Sequence, residues 1–304
     1  MRRFPAMATL RLLRPADIPL VDPLLKSSYG NPNSYAPRLR RLLSLEPGGW
    51  LLLETEGRPL GMGGVTIMGK TAYFGLVAVS PRAQRRGIAT IVMKHLLGIA
   101  EGRGCLTFLL DASDAGKRLY GKLGFVEEDK VGLWQRESGS GLPTVPATRG
   151  ATRVVTLAEE NALRGRAAES LPAELLALDA AVWGDNRTKV LASYAKDDPS
   201  LFALARYADD RLAGWACAQK EAGILGPWLA RDANSASSLL AWALGREESR
   251  VETVYIPAAN AEGARLLTGA GFTRKRSLTH MRLGRALDPT RRRLVYSQAN
   301  FALG

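Results

Sequence analysis

The chain has 304 residues, 46% of them hydrophobic, and a formal net charge of +13 at pH 7. This length can bury the core of more than one domain, and no apolar run approaches the roughly 20 residues of a membrane-spanning helix, so no membrane partner is expected. The N-terminal residues lack the apolar stretch of a signal peptide, and Cys105 and Cys217 lie far apart, which predicts a cytoplasmic protein with reduced thiols. His95 and His280 are too few and too scattered for a metal site.

The basic charge is spread along the chain. Residues 1–139 carry 20 Lys and Arg against 12 Asp and Glu, and the remainder carries 22 against 17. Neither interleaved aromatic residues nor a helix-turn-helix pattern accompanies this charge, and a polyanionic cofactor or an arginine-rich genome explains it at least as well as a nucleic-acid partner. The run Arg291-Arg-Arg293 is predicted to be a solvated tail.

In chain order, the first region alternates strands and helices. The predicted elements are a strand over residues 8–13, a helix over 18–27, a hairpin of strands 50–54 and 59–68, and a strand over 71–79. A helix then begins at Gly87, because its apolar residues recur on one face with a period of 3.6. A strand over 105–110 and a short helix over 114–123, with Asp114 as its N-cap, complete the pattern.

The loop before the helix at Gly87 has the chemistry of an anion site. Free N–H groups at a helix start and the helix dipole both attract negative charge. Gly87 and Ala89 are small enough for a phosphate to approach the backbone, and Arg82, Arg85 and Arg86 add positive charge at the same place. These features predict a pyrophosphate ligand.

Two segments resemble the GNAT superfamily of N-acetyltransferases. Gln84-Arg-Arg-Gly-Ile-Ala89 is similar to its Gln/Arg-x-x-Gly-x-Gly/Ala signature, and Leu119-Tyr-Gly-Lys-Leu-Gly-Phe125 is similar to the motif that closes the same fold. The resemblance implies an α/β fold built on a mixed sheet, acetyl-CoA as co-substrate, and no metal. It also implies a set of cofactor-binding residues at the end of one strand and in the loop after it: Val77, Ala78, Val79, Gln84, Arg85, Arg86, Gly87, Ile88, Ala89 and Thr90.

The same resemblance implies a general acid and a hydrogen-bond donor to the thioester oxygen. Tyr120 would protonate the departing CoA thiolate as a general acid, and the backbone N–H of Val79 would face the thioester oxygen. The strand over residues 71–79 lacks the carboxylate that many relatives use as a base, and Asp111 is the best local substitute. Two alternatives to Asp111 for removing the amine proton stay open: a relay of water molecules, and deprotonation of the substrate without a protein base.

A segment rich in Gly, Pro, Ser and Thr separates two regions of similar size. The second region resembles a degenerate copy of the first. Residues 266–272 are similar to residues 119–125, but residues 231–238 lack the arginine pair and the glycine of the phosphate loop. Leu267 stands where the first region has Tyr120. We therefore predict two tandem GNAT-like domains: a catalytic domain over residues 1–139, a linker over 140–150, a degenerate domain for acceptor specificity or dimerisation over 151–288, and a C-terminal tail over 289–304.

This organisation resembles the YitH-like group of bacterial two-domain acetyltransferases, through segments such as Leu178-Asp-Ala-Ala-Val-Trp-Gly-Asp-Asn-Arg187. It implies an acetyl-CoA-dependent N-acetyltransferase in which a primary amine attacks the thioester directly. We expect a small-molecule amine as acceptor, Asn186 and Arg187 in the acceptor cleft, and an assembly compatible with a homodimer. Two alternatives stay open: a non-catalytic acyl-CoA sensor, and an acetyltransferase acting on a protein lysine or a nucleic-acid-associated target.

Overall fold

The structure is a computed structural model that describes residues 8–137 and 152–304, here called the first and second halves. The predicted linker lies outside the described residues. The first half consists of β1 Ala8–Leu12, α1 Ile18–Tyr29, α2 Ala36–Leu45, β2 Trp50–Thr55, β3 Arg58–Met68, β4 Thr71–Val79, α3 Ile88–Gly102, β5 Thr107–Ala112, α4 Asp114–Lys122 and β6 Val126–Gln135.

The second half repeats this order with one more helix and one more strand. Its elements are β7 Arg153–Thr156, α5 Leu157–Leu163, α6 Ala173–Trp183, α7 Thr188–Asp197, β8 Phe202–Arg206, β9 Leu212–Gln219, β10 Ile224–Ala230, α8 Ala233–Leu244, β11 Thr253–Pro257, α9 Ala261–Gly269, β12 Thr273–Gly284 and β13 Val295–Ser297. The predicted α/β fold with two GNAT-like domains on a mixed sheet is confirmed.

Within the described residues the strands form one continuous sheet in the order β1-β2-β3-β4-β5-β12-β6-β11-β10-β9-β8-β7, and β13 pairs with β10 outside this path. The centre of this order shows that the halves exchange strands. β12 of the second half pairs with β5 of the first, from Thr279 opposite Ala112 to Gly284 opposite Thr107. β6 of the first half pairs with β11 of the second. Each half is therefore completed by the last long strand of the other.

Helices cover both faces of this sheet. Over the first half, α3 and α4 pack on one face, in an apolar core that includes Phe74, Phe108 and Tyr120 and also Met281 from β12. The opposite face is covered by α1 and α2 together with α6 and α7 of the second half, in a core that both halves share. Lys189 of α7 also forms an ion pair of 2.6 Å with the buried carboxylate of Glu46. The two halves are thus joined by strands, apolar packing and charge.

The C-terminal segment packs into the molecule. Residues 295–300 are buried, and β13 pairs with β10 through Trp228 opposite Ser297. The prediction of a solvated tail is wrong at Arg292, because its guanidinium donates to Asp129 at 2.8 Å and to His280 at 3.3 Å. After β12 the chain returns to the sheet as β13, and the buried residues of this segment hold that strand against β10.

Candidate functional site

The candidate site begins where β4 separates from β5. The two strands pair in parallel from Thr71 opposite Thr107 to Phe74 opposite Leu110, and the pairing stops there. On its other side β4 stays paired with β3 through a register shift, and within this bulge Leu76 adopts a left-handed backbone with a φ of 51°. Such a conformation is strained for a leucine, and bulges redirect the strand. The result is an open wedge between β4 and β5.

Backbone groups of β4 line this wedge. The N–H of Ser80 donates to Leu60 on the β3 side, so the N–H and carbonyl of Val79 point toward the wedge, because successive residues of a strand alternate their direction. The Val79 carbonyl accepts from the Ser28 hydroxyl at 3.3 Å, and the Val77 carbonyl accepts from the Tyr29 hydroxyl at 3.1 Å. The N–H of Val79, predicted to be the oxyanion donor, therefore points away from β3 and into the wedge.

The loop after β4 ends at an uncapped helix. Gly87 is the N-cap of α3 with a φ of 80°, and no side chain bonds to the free N–H groups of the first turn. The space where a Cβ of Gly87 would stand contains no atom within 4 Å. Arg85 and Arg86 are exposed, and neither forms an ion pair with a carboxylate in the described part of the chain. Free N–H groups, a helix dipole and two cations thus face one open space, which suits a pyrophosphate.

Tyr120 lies on α4, on the same face of the sheet as α3. Its ring meets Phe125 edge-on at 6.0 Å, and its side chain is buried. Burial raises the pKa of the Tyr120 hydroxyl, so the group keeps its proton at neutral pH. The prediction of Asp114 as the N-cap of this helix is wrong: Ser113 takes that position and accepts from the N–H of Gly116 at 3.2 Å.

Asp111 lies on the opposite face of the sheet and is fully buried. One carboxylate oxygen accepts from the Tyr73 hydroxyl at 2.8 Å, and the other bonds to Nδ1 of His280, on β12, at 2.8 Å. Both oxygens accept hydrogen bonds from protein groups, and the side chain has no solvent-exposed surface at which an acceptor amine could approach it. The hypothesis that Asp111 replaces the missing base is therefore not supported by the geometry, and we assign Asp111 to the contact between the two halves.

The hydrogen-bond partners of His280 fix its protonation. A carboxylate only accepts and a guanidinium only donates, so Nδ1 carries the proton toward Asp111 and Nε2 accepts from Arg292. Burial, and then the charge of Arg292, lower the pKa of His280, so the ring is neutral at pH 7. Sequence reasoning missed Tyr73 and His280, because nothing in the spacing of residues 73, 111 and 280 signals that they meet.

The corresponding region of the second half is closed by the chain itself. β10 and β11 pair only at Ile224 opposite Thr253, and β13 enters the gap, where the Ser297 hydroxyl accepts from the N–H of Tyr255 at 3.0 Å. The N-terminus of α8 is capped by the carboxylate of Asp232, which would repel a phosphate. Leu267 is fully buried. A second copy of the wedge thus exists, but the C-terminal segment fills it.

Asn186 and Arg187 have local roles in the structure. The Asn186 side chain accepts from the N–H of Thr188 at 2.9 Å at the start of α7. Arg187 is 2% exposed, pairs with the buried Asp179 at 2.6 Å and stacks on Trp183 at 3.8 Å. The prediction that Arg187 lines an acceptor cleft is therefore wrong, since its guanidinium is already satisfied inside the shared core. Asn186, at an exposed helix start, has no contact that links it to the wedge.

Neither a metal-binding cluster of side chains nor a membrane-spanning helix occurs in the described residues. Across residues 8–137 and 152–304, no group of three or more His, Cys, Asp or Glu side chains is placed to hold a metal ion. In the same residues, no helix combines the length and the apolar character that crossing a membrane requires. Both cysteines are buried, and burial raises the pKa of the Cys217 thiol to about 12, so this thiol is not a nucleophile at neutral pH.

Comparisons with known proteins agree with this geometry. A family model for the acetyltransferase (GNAT) family matches residues 19–125, and a model for an acetyltransferase (GNAT) domain matches residues 175–297. A proposed acetyltransferase from Pyrococcus horikoshii is 26% identical, with a TM-score of 0.81 over 100% of this chain and 98% of that one. No match was found among curated protein sequences.

Two further solved structures share the fold alone. A GCN5-related N-acetyltransferase from Sphaerobacter thermophilus is 17% identical, with a TM-score of 0.65 over 93% of this chain and 97% of that one. A tandem GNAT protein from the clavulanic acid biosynthesis pathway is 15% identical, with a TM-score of 0.58 over 92% and 99%. The tandem arrangement is thus seen across the whole chain, while membership of the YitH-like group stays a prediction.

Proposed function

We propose that this chain, which belongs to the GNAT acetyltransferase family and carries two of its domains, transfers an acetyl group from acetyl-CoA to a primary amine. The observation that carries the proposal is the wedge between β4 and β5, beside the strand that leads to the uncapped start of α3. Backbone groups of β4 line the wedge, and the loop after β4 carries Arg85 and Arg86. These properties fit an extended ligand with a pyrophosphate at one end.

Different groups of the first half would bind the pyrophosphate and the pantetheine arm of acetyl-CoA. The N–H groups at the start of α3, with Arg85 and Arg86, would hold the pyrophosphate, whose charge they complement. The edge of β4 from Val77 to Val79 would pair with the amide groups of the pantetheine arm as a strand does. Bound acetyl-CoA supplies an activated acetyl thioester, and binding both substrates in one wedge removes most of the entropy cost of their encounter.

The chemical step needs an oxyanion donor and an acid. The amine nitrogen attacks the thioester carbon, a C–N bond forms, and the C–S bond breaks with its electron pair moving to sulfur. The N–H of Val79 would stabilise the negative charge on the carbonyl oxygen, and Tyr120 would give its proton to the thiolate. The proton lost by the amine leaves through water or the substrate itself, because the side chain of Asp111 is buried away from solvent.

The second half supplies the far wall of the site. Its own wedge is filled by β13, and the C-terminal segment continues from there to the first half, where Gln298 donates to the Tyr73 hydroxyl at 3.3 Å. A Cβ atom on Gly75, beside the bulge of β4, would collide with Ala302. We therefore propose one acetyl-CoA site per chain, with the acceptor entering between the two halves.

Replacement of Gly87 by Glu tests the proposal. The substitution places a carboxylate in the open space before α3 and forces a non-glycine residue to a φ of 80°, so acetyl-CoA binding should fall by at least 100-fold. Gly98→Glu is the matched control, because Gly98 is exposed on the same helix and a Cβ there would also meet no atom within 4 Å. The measurement is calorimetry with acetyl-CoA on the full chain.

The expected result is one equivalent of acetyl-CoA for the wild type and for Gly98→Glu, and no measurable binding for Gly87→Glu with its melting temperature nearly unchanged. Two equivalents per chain would contradict the statement that the second wedge is closed. Equal affinity in the Gly87 and Gly98 variants would remove the α3 site. Binding without CoA release in the presence of any amine would favour an acyl-CoA sensor.

A further inference from the structure

A group of aromatic rings with two arginines, drawn from both halves, lies beside the wedge. We name it the junction cleft and define it by Tyr29, Tyr35 and Arg38 of the first half and Tyr255, Arg276 and Phe301 of the second. Tyr29 and Tyr35 have ring centroids 5.8 Å apart, and Tyr255 and Phe301 meet edge-on at 4.6 Å. The Tyr29 hydroxyl donates to the Val77 carbonyl at 3.1 Å, which connects this cleft directly to β4.

Each half contributes one arginine to the junction cleft. The guanidinium of Arg38 lies 5.7 Å from the centre of the Tyr35 ring, and that of Arg276 lies 5.8 Å from the centre of the Phe301 ring. Neither arginine forms an ion pair with a carboxylate in the described residues. Arg38 is half-buried and Arg276 is exposed, so both charges are accessible to a ligand.

The charges of Arg38 and Arg276 both affect the pKa values of Tyr29 and Tyr35. Burial raises the pKa of Tyr29, and the nearby hydroxyl of Tyr120 raises it further, while Arg38 and Arg276 both lower it. The same two arginines oppose the effect of burial on the pKa of Tyr35. The geometry agrees with this proximity, because Ala302, next to Phe301, lies against Gly75 of β4, and Tyr29 contacts Val77 of the same strand.

Such a cleft selects its ligand by charge. Two unpaired guanidinium groups at the edge of an apolar pocket attract a carboxylate, with which arginine forms paired hydrogen bonds. They repel a polyamine or a lysine-rich segment, because every added cation would meet two others. The aromatic walls favour an apolar body between the charged end and the reacting amine.

We propose that Arg38 and Arg276 bind the carboxylate of the acceptor, so that the acceptor is a small amine that also carries a carboxylate, such as an amino acid. The assignment rests on the proposed acetyl transfer and narrows its acceptor. The site would draw on both halves, because Arg38 lies on α2 of the first half and Arg276 on β12 of the second.

The test compares acceptors that differ only in the carboxylate. Amino acids and their decarboxylated amines are offered to the full chain with acetyl-CoA, and release of the CoA thiol gives kcat and KM for each. Arg38→Met and Arg276→Met are compared with Arg40→Met, which is exposed on the same helix, and with Arg274→Met, which packs toward Gly132 on the other face of β12. Methionine keeps the flexible apolar stem of the side chain and removes the charge.

We expect amino acids to be the better acceptors and both junction variants to raise their KM by roughly 10- to 100-fold, the usual loss for one charged partner. The kcat/KM of the decarboxylated amines and the affinity for acetyl-CoA should change less than threefold, and the Arg40 and Arg274 variants should resemble the wild type. Higher kcat/KM for neutral amines or polyamines would overturn the assignment, although acetyl transfer itself would stand. Acetyl-CoA binding without CoA release from any member of the panel would overturn it too. Absence of acetyl-CoA binding would instead contradict the proposed function.

Discussion

The exchange of β6 and β12 predicts that a mutation late in the sequence loosens the first half. Met281 lies on β12, opposite Leu110 of β5, and is 2% exposed. Its side chain belongs to the same apolar core as Tyr120 and Phe125, more than 150 residues earlier in the chain. The substitution Met281→Ala therefore removes packing from the catalytic side of the first half, although residue 281 belongs to the second.

The size of the effect follows from the burial. Truncating a fully buried methionine to alanine costs about 2–5 kcal/mol, because the lost side chain leaves a cavity that its neighbours fill only in part. Each 1.4 kcal/mol changes an opening equilibrium about tenfold, so even the lower figure corresponds to roughly a 30-fold increase in local opening. The increase should appear in β5 and α4, which pack against Met281.

Amide hydrogen exchange followed by mass spectrometry measures this opening by segment. The control is Leu267→Ala, which truncates a fully buried residue in the core formed by α8, α9 and their strands. We expect Met281→Ala to speed exchange in residues 107–122, and Leu267→Ala to speed it mainly in residues 233–269. Unchanged exchange in residues 107–122 of the Met281 variant would refute the strand exchange and the reasoning built on it.

Three further predictions follow from the structure. Tyr120→Phe should lower turnover by roughly 10²–10⁴-fold with little change in acetyl-CoA affinity, and an unchanged kcat would remove the tyrosine from the mechanism. The pKa of buried His280 lies below its ordinary 6.5, so its contribution to stability is complete above pH 6.5 and is lost as the pH falls. His280→Gln should therefore flatten the fall in melting temperature between pH 7 and 5.5, and the exposed His95→Gln should leave it as in the wild type. A fragment of residues 1–137 should fold only when residues 152–304 are co-expressed, and a folded, soluble fragment alone would contradict the pairing of β12 with β5.

Local patterns in the sequence determined those features of this protein that depend only on residues adjacent in the chain. The period of 3.6 after Gly87 predicted α3, and the small residues and arginines beside it predicted the anion site, because the free N–H groups of a helix start are a property of the helix itself. The loss of the same features in residues 231–238 predicted the degenerate second half. There Asp232 caps α8 in place of a phosphate.

The tertiary structure alone decided which groups meet across the chain. Alternation along a strand fixes which face a side chain takes, but the partner strand is chosen by packing over the whole sheet, so the pairing of β12 with β5 and of β6 with β11 left no local signal. Asp111 was predicted as a base from its place at a strand end, yet its neighbours Tyr73 and His280 are 38 and 169 residues away. Arg38 and Arg276 likewise come from distant parts of the chain, on α2 and β12, and no local pattern in the sequence relates them. Burial and charge at this junction, and not any motif, are what give the site its proposed choice of acceptor.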